Sequence, residues 1–240
     1  ILSLKNGLAS LPKALALNLK ILYNERVRSV VDDNGISILS LENDIIKARR
    51  VIYAIPAYEA KKIVPQSYQK KWTNVLATTY ASTIRFSFKA TGSLDSIQSK
   101  VYGVMIGKNE SELINVISFE NNKHLHQLSK NPWITNVMLT SHGAKKLKGE
   151  SEENIVEKIK NEIGTLFPQL NNNLEVLSYK TWEHAIPIMK PGHIMMISKY
   201  RESLRNGDHH FLVGDYLGTP CVEGAVESAI KVSELFKVKT

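Results

Sequence analysis

Phe211-Leu212-Val213-Gly214-Asp215-Tyr216, followed after two residues by Thr219-Pro220-Cys221-Val222-Glu223-Gly224-Ala225-Val226-Glu227-Ser228-Ala229, decides how this chain of 240 residues is read. An apolar run ends at Gly-Asp, a short loop follows, and a helix opens at Val-Glu-Gly-Ala. A strand that feeds a helix N-terminus through a glycine-containing loop is a place where anionic ligands bind. The first N–H groups of the helix have no intrahelical partner, and that end of the helix carries partial positive charge. Gly224, Ala225 and Ala229 are small enough to let the helix lie close against what it covers.

Outward from this stretch, His210 to Gly214 reads as the last strand and Val222 to Phe236 as the last helix. Val51 to Ala54 is a second short apolar strand, closed by Pro56 and followed by a helix over Tyr58 to Ile63. Residues 26–31 alternate charge with valine, the period of a strand. Asp32-Asp33-Asn34-Gly35 is a hairpin signal, Ile36 to Leu41 is the returning strand, and Asn43-Asp44 makes another turn. Pro12 suits the first turn of a helix that runs to about Leu19.

The middle of the chain is richer in strands. Val75 to Lys89 predicts one long strand, with Ile84, Phe86 and Phe88 alternating with Arg85, Ser87 and Lys89. Further strands are expected at Val101 to Ile106, Leu113 to Phe119, Trp133 to Thr140 and Val176 to Trp182, with a short polar helix over His124 to Lys130. Ser151 caps a helix whose Ile155, Ile159 and Ile163 share one face and which Pro168 ends.

The segment from Phe211 to Ala229 resembles the C-terminal FAD-binding segment of the flavin-dependent amine oxidase superfamily, and within it the protoporphyrinogen oxidase branch. Leu4-Lys5-Asn6-Gly7-Leu8-Ala9-Ser10-Leu11-Pro12-Lys13-Ala14-Leu15 is similar to the family's "Gly-Gly-Met, Leu-Pro, Ala-Leu" segment. Val27-Arg28-Ser29-Val30 and Ala48-Arg49-Arg50-Val51-Ile52-Tyr53-Ala54-Ile55-Pro56-Ala57 follow in the family's order. Trp182-Glu183-His184-Ala185-Ile186-Pro187 with Pro191-Gly192-His193 is similar to its "Trp, Ala-hydrophobic-Pro, Gly-His" element.

The resemblance implies an α+β fold. In it a discontinuous remnant of an FAD/NAD(P)-binding-like domain, residues 1–65 and 194–240, joins a mixed-sheet substrate domain with flanking helices, residues 66–193. It also implies FAD as cofactor. The cofactor-binding positions it marks are Val27, whose backbone pairs with the adenine, Ala54 and Pro56 near the ADP moiety, Gly214 and Asp215 near the pyrophosphate and ribityl chain, and Val222, Glu223 and Ala225 under the flavin's pyrimidine edge. Trp182, His193, Tyr216 and Cys221 are implied at the substrate site. Cys221 stands where many amine oxidases place an aromatic, which argues against a simple amine oxidase. Side by side with these stand plainer readings: Trp182 as a core aromatic, Cys221 as a small apolar filler, the last helix as one merely packed on a sheet. No catalytic base is assigned to His193, because flavin dehydrogenation of this kind needs no strong protein base.

The superfamily's Gly-x-Gly-x-x-Gly turn, which holds the FAD pyrophosphate, does not occur in these 240 residues. The chain therefore reads as the C-terminal part of a flavoenzyme. The alternative is a non-catalytic binding or structural module without FAD, completed by a homodimer or by a partner that supplies the missing N-terminal half. The same absence removes an NAD-dependent dehydrogenase.

Composition bounds these readings. Hydrophobic content of 43% and charged content of 22% are ordinary for a folded domain. A single cysteine excludes an intrachain disulfide framework and suits a reducing compartment. The expected location is the cytoplasm, with the periphery of a membrane as a second option. No apolar run approaches the roughly 20 residues of a membrane span, so no transmembrane segment is expected. The net charge is +8, but the lysines are scattered and no zinc-finger spacing or RNA-binding motif occurs, so nucleic acid is not an expected partner. A small apolar, amine or porphyrinogen-like substrate is. The pairs His124/His126 and His209/His210 lack a third ligand at useful spacing, and read as surface histidines rather than a metal site.

Overall fold

The structure, a computed structural model, describes residue 4 and residues 7–91, 101–122, 133–170, 173–205 and 207–236. The polar stretch His124 to Lys130, with His124 and His126, lies outside them. Helix α1 (Ser10–Ala16) carries Pro12 in its first turn, stops short of Leu19 and buries no side chain. Strands β1 (Ser29–Asp33) and β2 (Ile36–Ser40) form the expected hairpin. Its two linking residues, Asn34 and Gly35, have φ of 50° and 81°, the left-handed pair that matches the twist of the flanking strands. Strand β3 (Ile45–Ala48) completes an antiparallel three-stranded meander.

Strand β4 (Val51–Tyr53) ends before Pro56, which caps helix α2 (Ala57–Ile63). Two short helices follow, α3 (Gln66–Lys71) and α4 (Thr73–Leu76), before strand β5 (Tyr80–Ala90). The single strand expected over Val75 to Lys89 is thus a helix, a break and a strand. Val75-Leu76-Ala77-Thr78-Thr79 looks extended by composition, yet Trp72, Val75 and Leu76 bury one helical face and the Thr78 hydroxyl closes the turn on the Val75 carbonyl at 2.7 Å.

Strands β6 (Gly103–Met105), β7 (Ile114–Phe119) and β8 (Trp133–Leu139) precede helices α5 (Ser141–Lys146) and α6 (Glu152–Leu166). Ser151 caps α6, its hydroxyl accepting from the Asn154 N–H at 3.3 Å. Strand β9 (Leu174–Pro187) is twice the expected length. Helix α7 (His193–Ser203), strand β10 (His210–Leu212) and helix α8 (Val222–Glu234) end the chain.

These elements pack as two compact units, each with its own core. The first comprises Ile1–Leu19 and Ala81–Ala185. Its sheet has the order β6-β7-β8-β5-β9. Ile84, Phe86 and Phe88 of β5 point to one face, as their alternation predicts, and meet Ile117, Val137 and Leu139 from the neighbouring strands and Ile155, Ile159 and Ile163 of α6.

The second unit comprises Lys20–Tyr80 and Ile186–Thr240. It holds the meander and a two-stranded parallel sheet of β4 and β10. β10 is buried on both faces, as parallel strands are. Leu212 joins the cluster of Tyr53, Trp72 and Tyr200, while Phe211 packs with Val213 and with Val232 of α8. No helix among the described residues is long and apolar enough to cross a membrane.

Candidate functional site

The parallel pairing of β4 with β10 puts the carboxyl ends of both strands side by side. Val51 pairs with His210 and Tyr53 with Leu212, and the Val213 N–H donates to the Tyr53 carbonyl at 3.2 Å. Ala54 and Gly214 therefore leave the sheet at the same edge, where ligands of open parallel sheets bind. Beside β4 runs a cleft of about 650 Å³ lined by Val27, Val30, Leu39, Ile52 and Ala54, with Arg26 and Lys62 among its polar residues. That volume lies within the range of small-molecule sites. Two of the sequence-predicted cofactor positions, Val27 and Ala54, share this cleft. Pro56 stands just beyond it, and the first-turn Ala57 N–H of α2 donates to the Tyr80 hydroxyl at 3.0 Å. Burial pushes that hydroxyl up to about 12.

On the β10 side, the Gly214 N–H donates to the Ser228 hydroxyl at 2.9 Å, tying the strand end to the middle of α8. A side chain at Gly214 has no room: its Cβ would lie 2.5 Å from the Tyr216 ring. Gly224 is held more tightly still, because a Cβ there would lie 2.0 Å from the Thr219 carbonyl oxygen. The close approach read from the sequence is real, and its partner is the loop that leads into the helix.

Cys221 is the N-cap of α8, exposed and without a side-chain hydrogen bond to the helix, so it is not the small apolar filler. Val222 and Glu223 are exposed, and Ala225 is half-buried. The α8 terminus thus presents N–H groups without a side-chain cap, beside apolar side chains. Half-buried Asp215 has its carboxyl raised above the ordinary aspartate range by burial, against backbone hydrogen bonds from Tyr216 and its own N–H.

Of the residues expected at a substrate site, His193 and Tyr216 are joined. His193 opens α7 behind Gly192, whose φ is 86°. Its Nε2–H donates to the Tyr216 carbonyl at 2.9 Å, a bond that fixes the proton on that nitrogen because a carbonyl can only accept. The Tyr216 side chain is fully buried, and its hydroxyl has no hydrogen-bond partner among the described residues. Burial holds that hydroxyl well above its ordinary pKa. Trp182 belongs to the first unit. It is not a core aromatic: it is 44% exposed on β9, with the Lys180 ammonium 4.2 Å above its ring.

His210 corrects the reading of both tandem histidines as surface residues. It is fully buried, with Nδ1 2.8 Å from the Tyr53 hydroxyl and Nε2 2.6 Å from Asp32. Ser37 also lies 3.2 Å from Nε2. Serine and aspartate meet the same ring nitrogen, so the trio is no hydrolytic relay, in which they must meet opposite nitrogens. It locks the meander to the parallel sheet. Only its place at the start of the apolar strand His210 to Gly214 hinted at burial. Ser228 was missed altogether, since nothing in its helical surroundings sets it apart.

Comparison with solved structures places this architecture. A protein from Exiguobacterium sp. 255-15 assigned as a protoporphyrinogen oxidase superposes with a TM-score of 0.74 at 17% identity, over 98% of this chain and 52% of that one. The CLA-producing fatty acid isomerase from P. acnes gives 0.68 at 10% identity, over 97% and 52%. An oxidoreductase from Methanosarcina mazei gives 0.56 at 14%, over 88% and 49%. The chain thus spans about half the length of the solved proteins it matches, and at these identities the likeness is one of fold. No curated protein sequence matches it. The sequence profile described as "Flavin containing amine oxidoreductase" matches residues 1–235. By that match over nearly its whole length, and by its protoporphyrinogen oxidase-like fold, the chain belongs to the flavin-containing amine oxidoreductase family.

Proposed function

We propose that this chain serves an FAD-dependent oxidoreductase of the amine oxidase and protoporphyrinogen oxidase type. In this reading residues 1–65 and 194–240 act as the C-terminal part of the FAD-binding domain, and residues 66–193 act on the substrate. The Gly-x-Gly-x-x-Gly turn that grips the pyrophosphate, which these 240 residues do not contain, is supplied from outside them. The observation that carries the reading is the shared carboxyl edge of β4 and β10, which sets Ala54 beside Gly214 next to the cleft containing Val27.

The residues present fit the cofactor. The cleft is largely apolar, as suits an adenosine, and its lining carries Arg26, Arg28 and Lys62 against Glu25 and Glu59, with Arg26 and Lys62 paired to Glu59. The Tyr216 hydroxyl is a buried polar group without a partner among the described residues. Val27, Ala54 and Pro56 would hold the nucleotide end, Gly214 and Asp215 the middle, and Val222, Glu223 and Ala225 the ring.

Bound FAD would supply the two-electron acceptor for a hydride leaving a C–H next to nitrogen, or one within a ring system undergoing conjugation. The chain's part is orientation and charge. The α8 N–H groups, which have no side-chain cap, would stabilise negative charge on the bound ring system. His193 donates its Nε2–H to the Tyr216 carbonyl and so holds the loop rather than abstracting a proton through that atom. An apolar, amine or porphyrinogen-like substrate is consistent with the family.

The test is a titration of the purified chain with FAD, followed by flavin fluorescence and by the absorbance retained after desalting. Quenching that saturates, and that Ala54→Asp weakens at least about tenfold by placing a carboxylate against the nucleotide, is the expected result. Porphyrinogens, then amines, would be offered next as reductants. A chain that leaves flavin fluorescence unchanged excludes FAD binding by these residues alone, and the same result with the Gly-x-Gly-x-x-Gly half supplied overturns the reading.

A further inference from the structure

In the second unit, helix α7 starts from a turn that is apolar on its outside. Ile194 and Met195 stand in the first helical turn, 83% and 63% exposed, and Ile188, just before the turn, is 41% exposed. The helix buries a different set: His193, Ile197 and Tyr200, at the spacing of one helical face. Ile194 and Met195 lie off that face, and neither belongs to a core cluster. A single exposed isoleucine is ordinary, but three large apolar side chains around one turn form a patch.

The same turn carries cations. A cavity of about 310 Å³ is lined by Ile188, Lys190, Met195 and Lys199, with Asn74 and Thr79 among its polar residues. No carboxylate lines it. The Lys190 and Lys199 ammonium groups have no ion pair or hydrogen bond among the described residues. Other lysines of this unit are held: Lys62 by Glu59 at 2.8 Å, Lys71 by Asp208 at 3.2 Å and Lys231 by Glu227 at 3.0 Å. On α7 itself, Glu202 accepts from the Ser198 hydroxyl at 2.9 Å, and Arg201 lies 3.8 Å from Glu227. Lys199 follows Met195 by four residues, so a cation and an apolar side chain share one strip of the helix. Apolar side chains that reach outward beside unpaired ammonium groups suit a membrane surface. The former enter the boundary of the acyl chains while the latter stay at the depth of the lipid phosphates. A small soluble anion would leave Ile194 uncovered, and an apolar protein patch would leave two ammonium groups without a counter-charge. The net charge of +8 adds attraction at longer range.

We propose that this surface docks on an anionic phospholipid bilayer, with Ile188, Ile194 and Met195 at the acyl boundary and a lipid phosphate in the cavity that Lys190 and Lys199 line. None of these five residues is used in the flavin reading, and the proposal does not rest on it.

Co-sedimentation of the flavin-free chain with vesicles tests it. Phosphatidylcholine vesicles containing roughly one-third phosphatidylglycerol are expected to bind the chain at least about tenfold more tightly than phosphatidylcholine alone. Lys190→Gln/Lys199→Gln should cost about tenfold of that affinity, and Ile194→Ser/Met195→Ser about tenfold. Lys71→Gln/Lys231→Gln removes the same net charge from paired lysines and should cost no more than about twofold. An environment-sensitive dye on Met195→Cys, in a Cys221→Ser background, should shift to the blue on the anionic vesicles. The same dye on Ile45→Cys, equally exposed on the meander, should not. Glycerol phosphate in large excess should leave the chain on the vesicles; release would assign the cavity to a soluble phosphate and overturn the proposal. A chain that stays off vesicles, equal binding to both kinds, an equal loss from the paired-lysine variant, or no dye shift at position 195 would each overturn it too. Self-association abolished by Ile194→Ser/Met195→Ser, without vesicle binding, would overturn it in favour of a second copy of this chain. Because FAD is absent, failure here leaves the flavin titration standing, and failure there leaves this one standing.

Discussion

The two units solve the same problem, burying sheet surface, to different degrees. In the first, five strands share one core with α6, and both Phe86 and Phe88 are wholly removed from water. In the second, the parallel sheet has two strands, far fewer than parallel sheets usually need to be covered. Its two edges differ as well. Leu212 turns its backbone away from β4, and both its groups are met by Tyr200: the N–H donates to the tyrosine hydroxyl at 2.7 Å, and the hydroxyl donates to the carbonyl at 3.0 Å. β4 has no strand on its outer side among the described residues, and there Ile52 and Ala54 line the cleft instead. The lesson is that the first unit is organised around its own packing, whereas the second leaves one backbone edge of β4 without a strand beside it among the described residues.

The largest test of this contrast is to damage the self-sufficient side. Phe86 is fully buried, stacked 5.7 Å from Phe88 and tilted 5.1 Å from Tyr179. Phe86→Ala leaves a cavity that rigid strands cannot close, and a loss of about 4 kcal/mol is expected. Urea unfolding followed by tryptophan fluorescence measures it. If the open edge of the second unit is instead the weak point of the chain, the midpoint will hardly move, because global unfolding would then not depend on the first core.

A smaller effect is expected where the second unit is tight. Gly224→Ala forces a Cβ against the Thr219 carbonyl, an overpacking cost of about 3 kcal/mol. The better helix propensity of alanine returns about 1 kcal/mol, for a net loss near 2. Hydrogen exchange should show the added opening in α8 and in the loop over 218–221, with β5, β7 and β8 unchanged. Spread of the effect into those strands would mean that the two units do not unfold separately.

What the sequence made legible follows the reach of each rule. Asn34-Gly35, the Ser151 cap, the Ile155/Ile159/Ile163 face and the Ile84/Phe86/Phe88 alternation are decided within a few residues, and all stand in the fold. Gly224 was marked as a place of close approach, and it is one. His210 could not be read this way, because its burial depends on Asp32, Ser37 and Tyr53, which lie more than 150 positions earlier. Val75 to Thr79 failed for a different reason. Local strand preference there was overruled by the burial of Trp72, Val75 and Leu76, a case of tertiary packing overriding propensity.

The smallest effect bears on the open strand-end itself. Burial raises the Asp215 carboxyl above the ordinary aspartate value of 3.8, so the fold disfavours its ionised form relative to the unfolded chain. Between 3.8 and the raised value the folded protein binds more protons than the unfolded one, and stability falls as pH rises through that window. Above the window the penalty is constant; below 3.8 it is gone. Asp215→Asn removes the ionisation and should therefore stabilise the chain at neutral pH while leaving its stability at the acid end unchanged. The carboxylate is only half-buried and still sees water, so the gain is expected to be no more than about half a kcal/mol. Thermal melts of both proteins across the acid range measure it. A variant that is less stable at neutral pH would mean that the charge of Asp215 is used by the fold, through the Tyr216 N–H, more than burial opposes it. The strand-end would then belong with the packed parts of the molecule and not with the part left open.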